Sequence, residues 1–188
     1  MRDFPELVTN KLKLRKILMT DLPSLVKYCN NKKISDQIFN IPFPYTEEDA
    51  IYRLNFASQG FKNKERYIFA ITLKENDELI GEIGLHLDKV NNHAQFGYWV
   101  AELFWGKGIA TEATSAILKF GFEELQLHKI YATHYPENEA SGKVMFNNQM
   151  IKEGELSDHY LIEGVYRTVI QYRLTRLEYA AQNASKLY

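Results

Sequence analysis

Residues 98–111 contain the residue types and spacing in this sequence that could do chemistry. Their sequence is YWVAELFWGKGIAT, an alternating apolar strand pattern, then a loop with Gly106 and Gly108, then the start of a helical pattern. The first amides of a helix have no partner within the helix and lie at the positive end of its dipole. Glycines before them let the main chain approach a ligand closely. The stretch therefore predicts a cradle for a diphosphate group.

Two common phosphate-binding loops fit this stretch poorly. The nucleotide-binding pattern G-x-x-x-x-G-K-[ST] requires a glycine where Ala101 stands, and a Ser or Thr where Gly108 follows Lys107. The dinucleotide pattern G-x-G-x-x-G loses its third glycine to Thr111. Two glycines before a helix also occur in ordinary tight turns. An ordinary turn and a nucleotide site therefore stay open as alternatives at this point.

The elements that must position this loop follow from the periodicity around it. Apolar residues alternate, as in strands, over about 7–18, 67–73, 79–87, 96–100, 130–135, 153–160 and 165–174. They recur at helical spacing over about 20–28, 46–58, 108–125 and 140–148. Strands and helices interleave without repeated βαβ units. This order predicts an α+β class with a mixed, mostly antiparallel central sheet.

Length and composition indicate one globular domain. The chain has 188 residues, of which 45% are hydrophobic, enough for a sizeable core without a metal or a disulfide. We expect a single domain over 1–175 and a tail over 176–188. Helical spacing in the tail relates Leu177, Ala181, Ala184 and Tyr188. Such a tail could be helical and pack on the domain, could form a homodimer, or could fray, and fraying is the default expectation.

Charge and cysteine content exclude several classes of protein. Lys and Arg number 23 against 24 Asp and Glu, a net charge of -1, which lacks the basic field typical of nucleic-acid binding. Cys29 is the only cysteine, so neither a disulfide framework nor a cysteine-based zinc site is expected. His128 and His134 lack the spacing of a metal-binding pair, and we expect no metal. No apolar run is long enough for a membrane span or a signal peptide, which predicts a soluble, cytoplasmic protein without a membrane partner.

Two motifs are similar to those of a known family. The first comprises QFGYWV over 95–100 and WGKGIATEA over 105–113, and the second is NEAS over 138–141. With these motifs the sequence resembles the GNAT acetyltransferases, particularly the group that acetylates the N-terminal alanine or serine of ribosomal proteins. The likeness extends over roughly 7–174 in the order of elements.

The resemblance implies a fold and a co-substrate, acetyl-CoA. In this family helices cover both faces of the sheet, and two neighbouring parallel strands, here about 96–100 and 130–135, splay apart in a V that receives acetyl-CoA. The loop amides would hold the pyrophosphate. The main chain near Val100 would pair with the pantetheine, and Asn138 would contact the pantetheine arm. The implied binding residues are Trp99, Val100, Trp105, Gly106, Lys107, Gly108, Ile109, Ala110, Thr111, Asn138 and Ser141. The side chains of both tryptophans are expected to pack rather than to clamp a substrate.

The activity that the resemblance implies is N-acetylation. The acetyl group passes directly from acetyl-CoA to a primary amine, and the α-amine of a protein or peptide is the leading acceptor. A small-molecule amine and a non-catalytic acyl-CoA-binding module are alternatives. An α-amine titrates near 7.7–8.0 and is about a tenth neutral at pH 7, so an N-terminus can react without a strong base.

A proton donor for the departing thiolate is the first catalytic group that direct transfer requires. By resemblance this donor is Ser141. The alternative interpretation of Ser141 is a helix cap that satisfies unpaired amides. Tyr135, at the end of a predicted strand, is a second donor candidate, although a tyrosine there more often packs.

The base is less well determined by the sequence. Glu82 and His86 share one strand face by period 2, and Gly84 between them would leave room for a ligand. A charged strand face is usually solvated, which is the alternative interpretation. Asp158, His159 or an ordered water could serve instead.

The chain departs from the family pattern at several positions. Gln95 stands where a carboxylate is usual, and Thr168 replaces an acidic residue of the last strand. Asn147, Gln149 and Met150 replace a lysine, a glycine and an aromatic residue at the end of the second motif. These departures bear on the base and the acceptor pocket, not on the glycine loop.

Overall fold

The computed structural model describes residues 3–38 and 40–184, with eight strands and six α-helices in those ranges. Strands β1 to β8 are Leu7–Val8, Leu12–Lys16, Arg66–Leu73, Leu79–Asp88, His93–Val100, Lys129–His134, Ile151–Ile162 and Val165–Thr175. Helices α1 to α6 are Leu22–Cys29, Lys32–Ser35, Glu47–Lys62, Ile109–Lys119, Glu139–Asn147 and Arg176–Ala184.

All eight strands form one sheet in the order β1-β2-β3-β4-β5-β6-β8-β7. Every neighbouring pair is antiparallel except β5 and β6, which are parallel. This sheet confirms the α+β class and its mixed, mostly antiparallel character. The parallel pair is the one that brackets the glycine loop, because α4 provides the crossover from β5 to β6.

Several element boundaries differ from the sequence prediction, among them those of the first strand and of the long helix. The first strand is interrupted, because the Thr9 amide donates to the Leu12 carbonyl at 2.9 Å and turns the chain between β1 and β2. The long helix leaves α-helical geometry after Lys119 and ends in a π-turn over Phe120–Glu124. Within that turn a Cβ at Gly121 would lie 2.5 Å from the Ile130 side chain, so the chain packs closely on β6 there.

The period of two divides strand residues between two hydrophobic clusters, one on each face of the sheet. On the face of α4, the cluster includes Phe69, Ile83, Leu85, Phe96 and Ile117. On the face of α1 and α3, it includes Leu25, Ala57, Ile68, Leu79 and Trp99. The strands are therefore covered by helices on both faces, as the resemblance implies.

The parallel strands β5 and β6 separate along their length. They pair at three positions only, His93 with Lys129, Ala94 with Ile130 and Gln95 with Tyr131. Both strands continue beyond these pairs, to Val100 and His134, without pairing with each other. This is the predicted V-shaped splay.

The end of α5 accounts for two of the departures from the family pattern. The Met150 amide donates to the Met145 carbonyl at 3.0 Å and the Gln149 amide to Phe146 at 2.8 Å, a Schellman motif. Gln149 has a φ of +57°, in the left-handed region where glycine is preferred. Met150 is buried in the core. Positions 149 and 150 therefore have a structural role in this chain, which is to end α5.

The left-handed Gln149 leads to a stability prediction. Gln149→Gly should raise the free energy of unfolding by about 1 kcal/mol, because a residue with a Cβ pays roughly that amount for a left-handed conformation. Urea unfolding measures the change. Gln149→Ala is the control and should give no gain, since alanine keeps the Cβ. Equal effects of the two substitutions would contradict the explanation.

The tail is more ordered than the default expectation of fraying. Over Arg176–Ala184 it forms α6, in which the Tyr179 ring stacks on Phe122 with centroids 4.8 Å apart. The Tyr179 hydroxyl donates to Glu123 at 2.8 Å. Leu177, a member of the predicted apolar spacing, is 79% exposed, and Tyr188 lies outside the described residues.

Among the helices described, none has the length and apolar character to cross a membrane.

Candidate active site

The glycine loop connects β5 to α4 at the open end of the splay. A short 3₁₀ turn over Glu102–Phe104 is followed by a turn from Trp105 to Gly108, and α4 begins at Ile109. Gly106 and Gly108 have φ angles of +74° and +78°. A Cβ placed on either glycine would meet no other protein atom within 4 Å. The loop thus combines a backbone shape that glycine favours with open space above it.

The amides of this loop point to an anion site. The Trp105 amide donates to the Glu102 carbonyl at 3.1 Å. Within the described ranges, the following amides, from Gly106 to Thr111, donate to no protein acceptor, and no side chain caps the start of α4. These amides lie at the positive end of the α4 dipole, so they can bind a diphosphate.

Two lysines add positive charge beside the loop. The Lys11 ammonium donates to the Lys107 carbonyl at 3.5 Å. Glu112, in the first turn of α4, accepts from the Thr9 hydroxyl at 2.6 Å and from the Lys11 amide at 2.7 Å. The carboxylate therefore fastens the β1–β2 turn to the helix start and brings Lys11 there. Lys11 could not be identified from the sequence pattern, because this contact joins positions far apart in the chain.

The end of β5 presents main-chain groups to the splay. The Ala101 amide donates to Ile80 on β4, so by alternation the main chains of Tyr98 and Val100 face away from β4. The Val100 carbonyl already accepts from the Trp105 indole N–H at 2.6 Å. Tyr98 therefore offers its main-chain groups in addition to those expected at Val100.

The two tryptophans have different environments. Trp99 is 5% exposed, belongs to the core on the face of α1 and α3, and directs its main chain toward β4 by the same alternation. This geometry favours packing and argues against its inclusion among the cofactor-binding residues. Trp105 is 46% exposed, and its bond to Val100 folds the loop back on the strand end.

The start of α5 corrects one interpretation of Ser141. The helix cap is Asn138, whose side-chain oxygen accepts from the Ser141 amide at 3.1 Å. Ser141 is therefore not the cap. Its Oγ instead accepts from the Tyr98 hydroxyl at 3.1 Å. Burial raises the pKa of Tyr98, and its bond to Ser141 acts in the opposite direction.

The candidate base Glu82 lies on the face of the sheet that α1 and α3 cover, opposite to the face of Tyr98. Its side chain is buried, with the residue 1% exposed, and its Oε2 accepts from the Arg53 Nε at 2.7 Å. Its Oε1 has no hydrogen-bond partner in the part of the chain that the structure describes. Glu82 is therefore a buried carboxylate that is paired on one oxygen only.

The prediction that Gly84 leaves room for a ligand is wrong. A Cβ on Gly84 would lie 3.1 Å from the Ile68 side chain and 3.3 Å from the Tyr67 carbonyl, so the missing side chain serves close packing. The open position is Gly97 in the centre of β5. It is exposed, and a Cβ there would meet nothing within 4 Å. By strand alternation Gly97 shares its face with Gln95, beside the splay.

His86 and Gln95 are direct cross-strand partners near this opening. Burial and the positive charges of Arg53 and Arg66 lower the pKa of His86 to about 4, so His86 is neutral at pH 7. The Gln95 amide donates to the Tyr160 hydroxyl at 3.1 Å and to Thr133 Oγ1 at 3.5 Å. Gln95 thus connects β5 to β6 and to the β7–β8 hairpin.

The remaining candidates lie on or beside that hairpin. Asp158 and His159 are exposed on β7, and the Asp158 amide donates to Thr168 Oγ1 at 3.3 Å. Tyr135 is half-buried just beyond β6, and burial raises its pKa while the nearby Arg167 lowers it.

Among residues 3–38 and 40–184, no group of three or more His, Cys, Asp or Glu side chains could hold a metal ion.

The neutral His86 gives a prediction for stability against pH. The unfolded chain takes up a proton at an ordinary histidine pKa near 6.5, whereas the folded chain does so only near 4. The free energy of unfolding should therefore fall as pH falls from 6.5 toward 4, by on the order of 2 kcal/mol from this group. His86→Gln should flatten this slope in urea unfolding, while His159→Gln should keep it. An identical slope for wild type and His86→Gln would contradict the assignment.

Comparison with known proteins assigns the family. The family model described as Acetyltransferase (GNAT) domain matches residues 11–151. The uncharacterized N-acetyltransferase p20 of Bacillus licheniformis is 34% identical over 178 residues, which cover 93% of this chain and 98% of that protein. A crystal structure of a GNAT-family acetyltransferase from Bacillus anthracis has a TM-score of 0.83 at 26% identity, with coverage of 93% and 100%. The chain belongs to the GNAT acetyltransferase family and is an acyltransferase.

Two further relatives have names that specify an acceptor. The ribosomal-protein-serine acetyltransferase of Escherichia coli (strain K12) is 28% identical over 146 residues, covering 77% of this chain and 80% of that protein. The spermidine N(1)-acetyltransferase of the same strain is 26% identical over 176 residues, covering 93% and 91%. The family thus includes enzymes for protein and for polyamine acceptors.

Proposed function

We propose that this enzyme transfers an acetyl group from acetyl-CoA directly to the α-amine of a protein or peptide, as enzymes of the ribosomal-protein type do. The observation that carries the proposal is the row of unpaired amides from Gly106 to Thr111, beside the splay of β5 and β6. The amides bind the diphosphate of acetyl-CoA. The pantetheine adds to the free edge of β5, where the main chain of Tyr98 faces the splay.

The acceptor enters over Gly97, on the face of the sheet opposite to the side chain of Tyr98. The open space there is bordered by Gln95 and by His86, its cross-strand partner. His86 is neutral at pH 7 and can take the proton from the attacking amine. Glu82 has one carboxylate oxygen without a hydrogen-bond partner in the described residues, but it is buried, so it would act through water. The amine attacks the thioester carbon, the C–S bond breaks, and Ser141 donates a proton to the sulfur.

The acidity of the acceptor amine favours an α-amine. An α-amine is about a tenth neutral at pH 7, whereas a lysine amine near pKa 10.4 is neutral in about one molecule in 2,500.

An acceptor panel tests the proposal through release of the CoA thiol. Peptides with free N-terminal Ala or Ser, the same peptides with blocked N-termini, and spermidine are compared at pH 7.5. We expect turnover with free N-termini and none with blocked ones. Preference for spermidine would assign the second candidate, a small-molecule amine. Binding of acetyl-CoA without release for any amine would assign a non-catalytic module.

A further inference from the structure

The Tyr98 hydroxyl is the group at this site whose placement the proposed chemistry does not yet use. It lies 3.1 Å from Ser141 Oγ, and it connects the central strand β5 to the first turn of α5. Both residues are half-buried. Because α5 follows β6 directly, the two hydroxyls approach each other across the splay, on the face of the sheet that α4 covers.

The direction of this hydrogen bond follows from acidity. A phenol is a stronger acid than an aliphatic alcohol, so Tyr98 donates and Ser141 accepts. The Ser141 proton must then point away from Tyr98. Within the described residues the Ser141 hydroxyl donates no hydrogen bond, and the Asn138 side chain accepts from the Ser141 amide. A hydroxyl that accepts one hydrogen bond becomes a better donor of the next.

We propose that Tyr98 is a positioning residue that acts through Ser141 to protonate the departing CoA thiolate. The proposal rests on the proposed function. As the C–S bond breaks and its electron pair goes to sulfur, the Ser141 proton moves to the sulfur and the Tyr98 proton moves to Ser141 Oγ. The proton that the acceptor amine loses returns to Tyr98 through solvent. The products are the acetylated amine and the CoA thiol, and both hydroxyls are restored.

The pair has a chemical advantage over serine alone. A thiol titrates near 8.5 and a phenol near 10, whereas a serine hydroxyl does not titrate in the accessible range. Protonation of the thiolate by Ser141 alone would leave an alkoxide. With Tyr98 behind it, the transient anion is a phenolate, which is closer in acidity to the thiol.

Kinetics of single and double variants test the proposal. Ser141→Ala should lower kcat on the order of 100-fold and Tyr98→Phe about 10-fold or more, with affinity for acetyl-CoA within about twofold of wild type. The double variant should be no slower than Ser141→Ala, because the two hydroxyls act as a unit. Tyr172→Phe is the matched control, since its hydroxyl also approaches α5, near Gly142, whereas the hydrogen bond at the Ser141 hydroxyl is the one from Tyr98. A kcat for Tyr98→Phe within about twofold of wild type, or losses that multiply in the double variant, would overturn the proposal.

A second measurement needs no acceptor. The thiol of bound CoA is titrated by its thiolate absorbance in the ultraviolet, as a difference between samples with and without CoA. In the wild type, donation from Ser141 should lower the thiol pKa, and Tyr98→Phe should raise it by about one unit relative to wild type. Equal thiol pKa values in the two proteins would overturn the proposal. Because the titration uses CoA alone, a failure of the acceptor panel is distinguishable from a failure here.

Discussion

Gly108→Val is expected to weaken acetyl-CoA binding by about 100-fold, which corresponds to roughly 2.7 kcal/mol. The added side chain would occupy the open space above the loop, where a Cβ now meets no protein atom within 4 Å. It would also strain a backbone with a φ of +78° and turn the amides away from the diphosphate. Isothermal titration calorimetry with acetyl-CoA measures the loss.

The control for this variant is Gly164→Val in the turn of the β7–β8 hairpin. Gly164 has a φ of +79°, and a Cβ there also meets nothing within 4 Å. Its backbone strain is therefore the same, but it lies outside the loop between β5 and α4. Both variants should lose similar stability to urea, whereas only Gly108→Val should lose affinity. If acetyl-CoA binds equally to both variants, the loop is not the diphosphate site.

Arg53→Met should lower the free energy of unfolding at pH 7 by about 3–5 kcal/mol, because it leaves the buried Glu82 carboxylate without its cation. A domain is typically stable by only 5–15 kcal/mol, so the loss is a large part of the total. Urea unfolding at pH 7 measures the loss.

The double variant Arg53→Met with Glu82→Leu separates structure from catalysis. With both charges removed, the site is apolar and most of the stability should return. Urea unfolding of the wild type, the single variants and the double variant measures the coupling between the two residues. If the double variant folds and retains full kcat, then Glu82 is a structural partner of Arg53 and the base lies elsewhere. If Arg53→Met alone is as stable as wild type, the ion pair does not matter to the fold.

The loop could be predicted because its signals are local, whereas the splay was implied by the family resemblance. One short segment contains the alternation over 96–100, the glycines at 106 and 108 and the helical period after them. The structure has the predicted strand before the loop and the predicted helix after it. The end of α5 was predicted to within one residue, but the left-handed conformation of Gln149 was not, because the expected residue at that position is a glycine.

The contacts that complete the site were beyond the sequence pattern because they join distant positions. Tyr98 meets Ser141 across 43 residues, Arg53 meets Glu82 across 29, and Lys11 meets Lys107 across 96. Strand period placed Glu82, Gly84 and His86 on one face, which holds. It could not tell that Ile68 fills the space over Gly84 while Gly97, on the next strand, is open.

The most direct test is a crystal structure of this enzyme with acetyl-CoA. We expect the diphosphate oxygens to accept hydrogen bonds from the amides between Gly106 and Thr111, with the pantetheine between β5 and β6. A diphosphate bound elsewhere on the protein, or those same amides bonded to protein groups while acetyl-CoA is present, would contradict it.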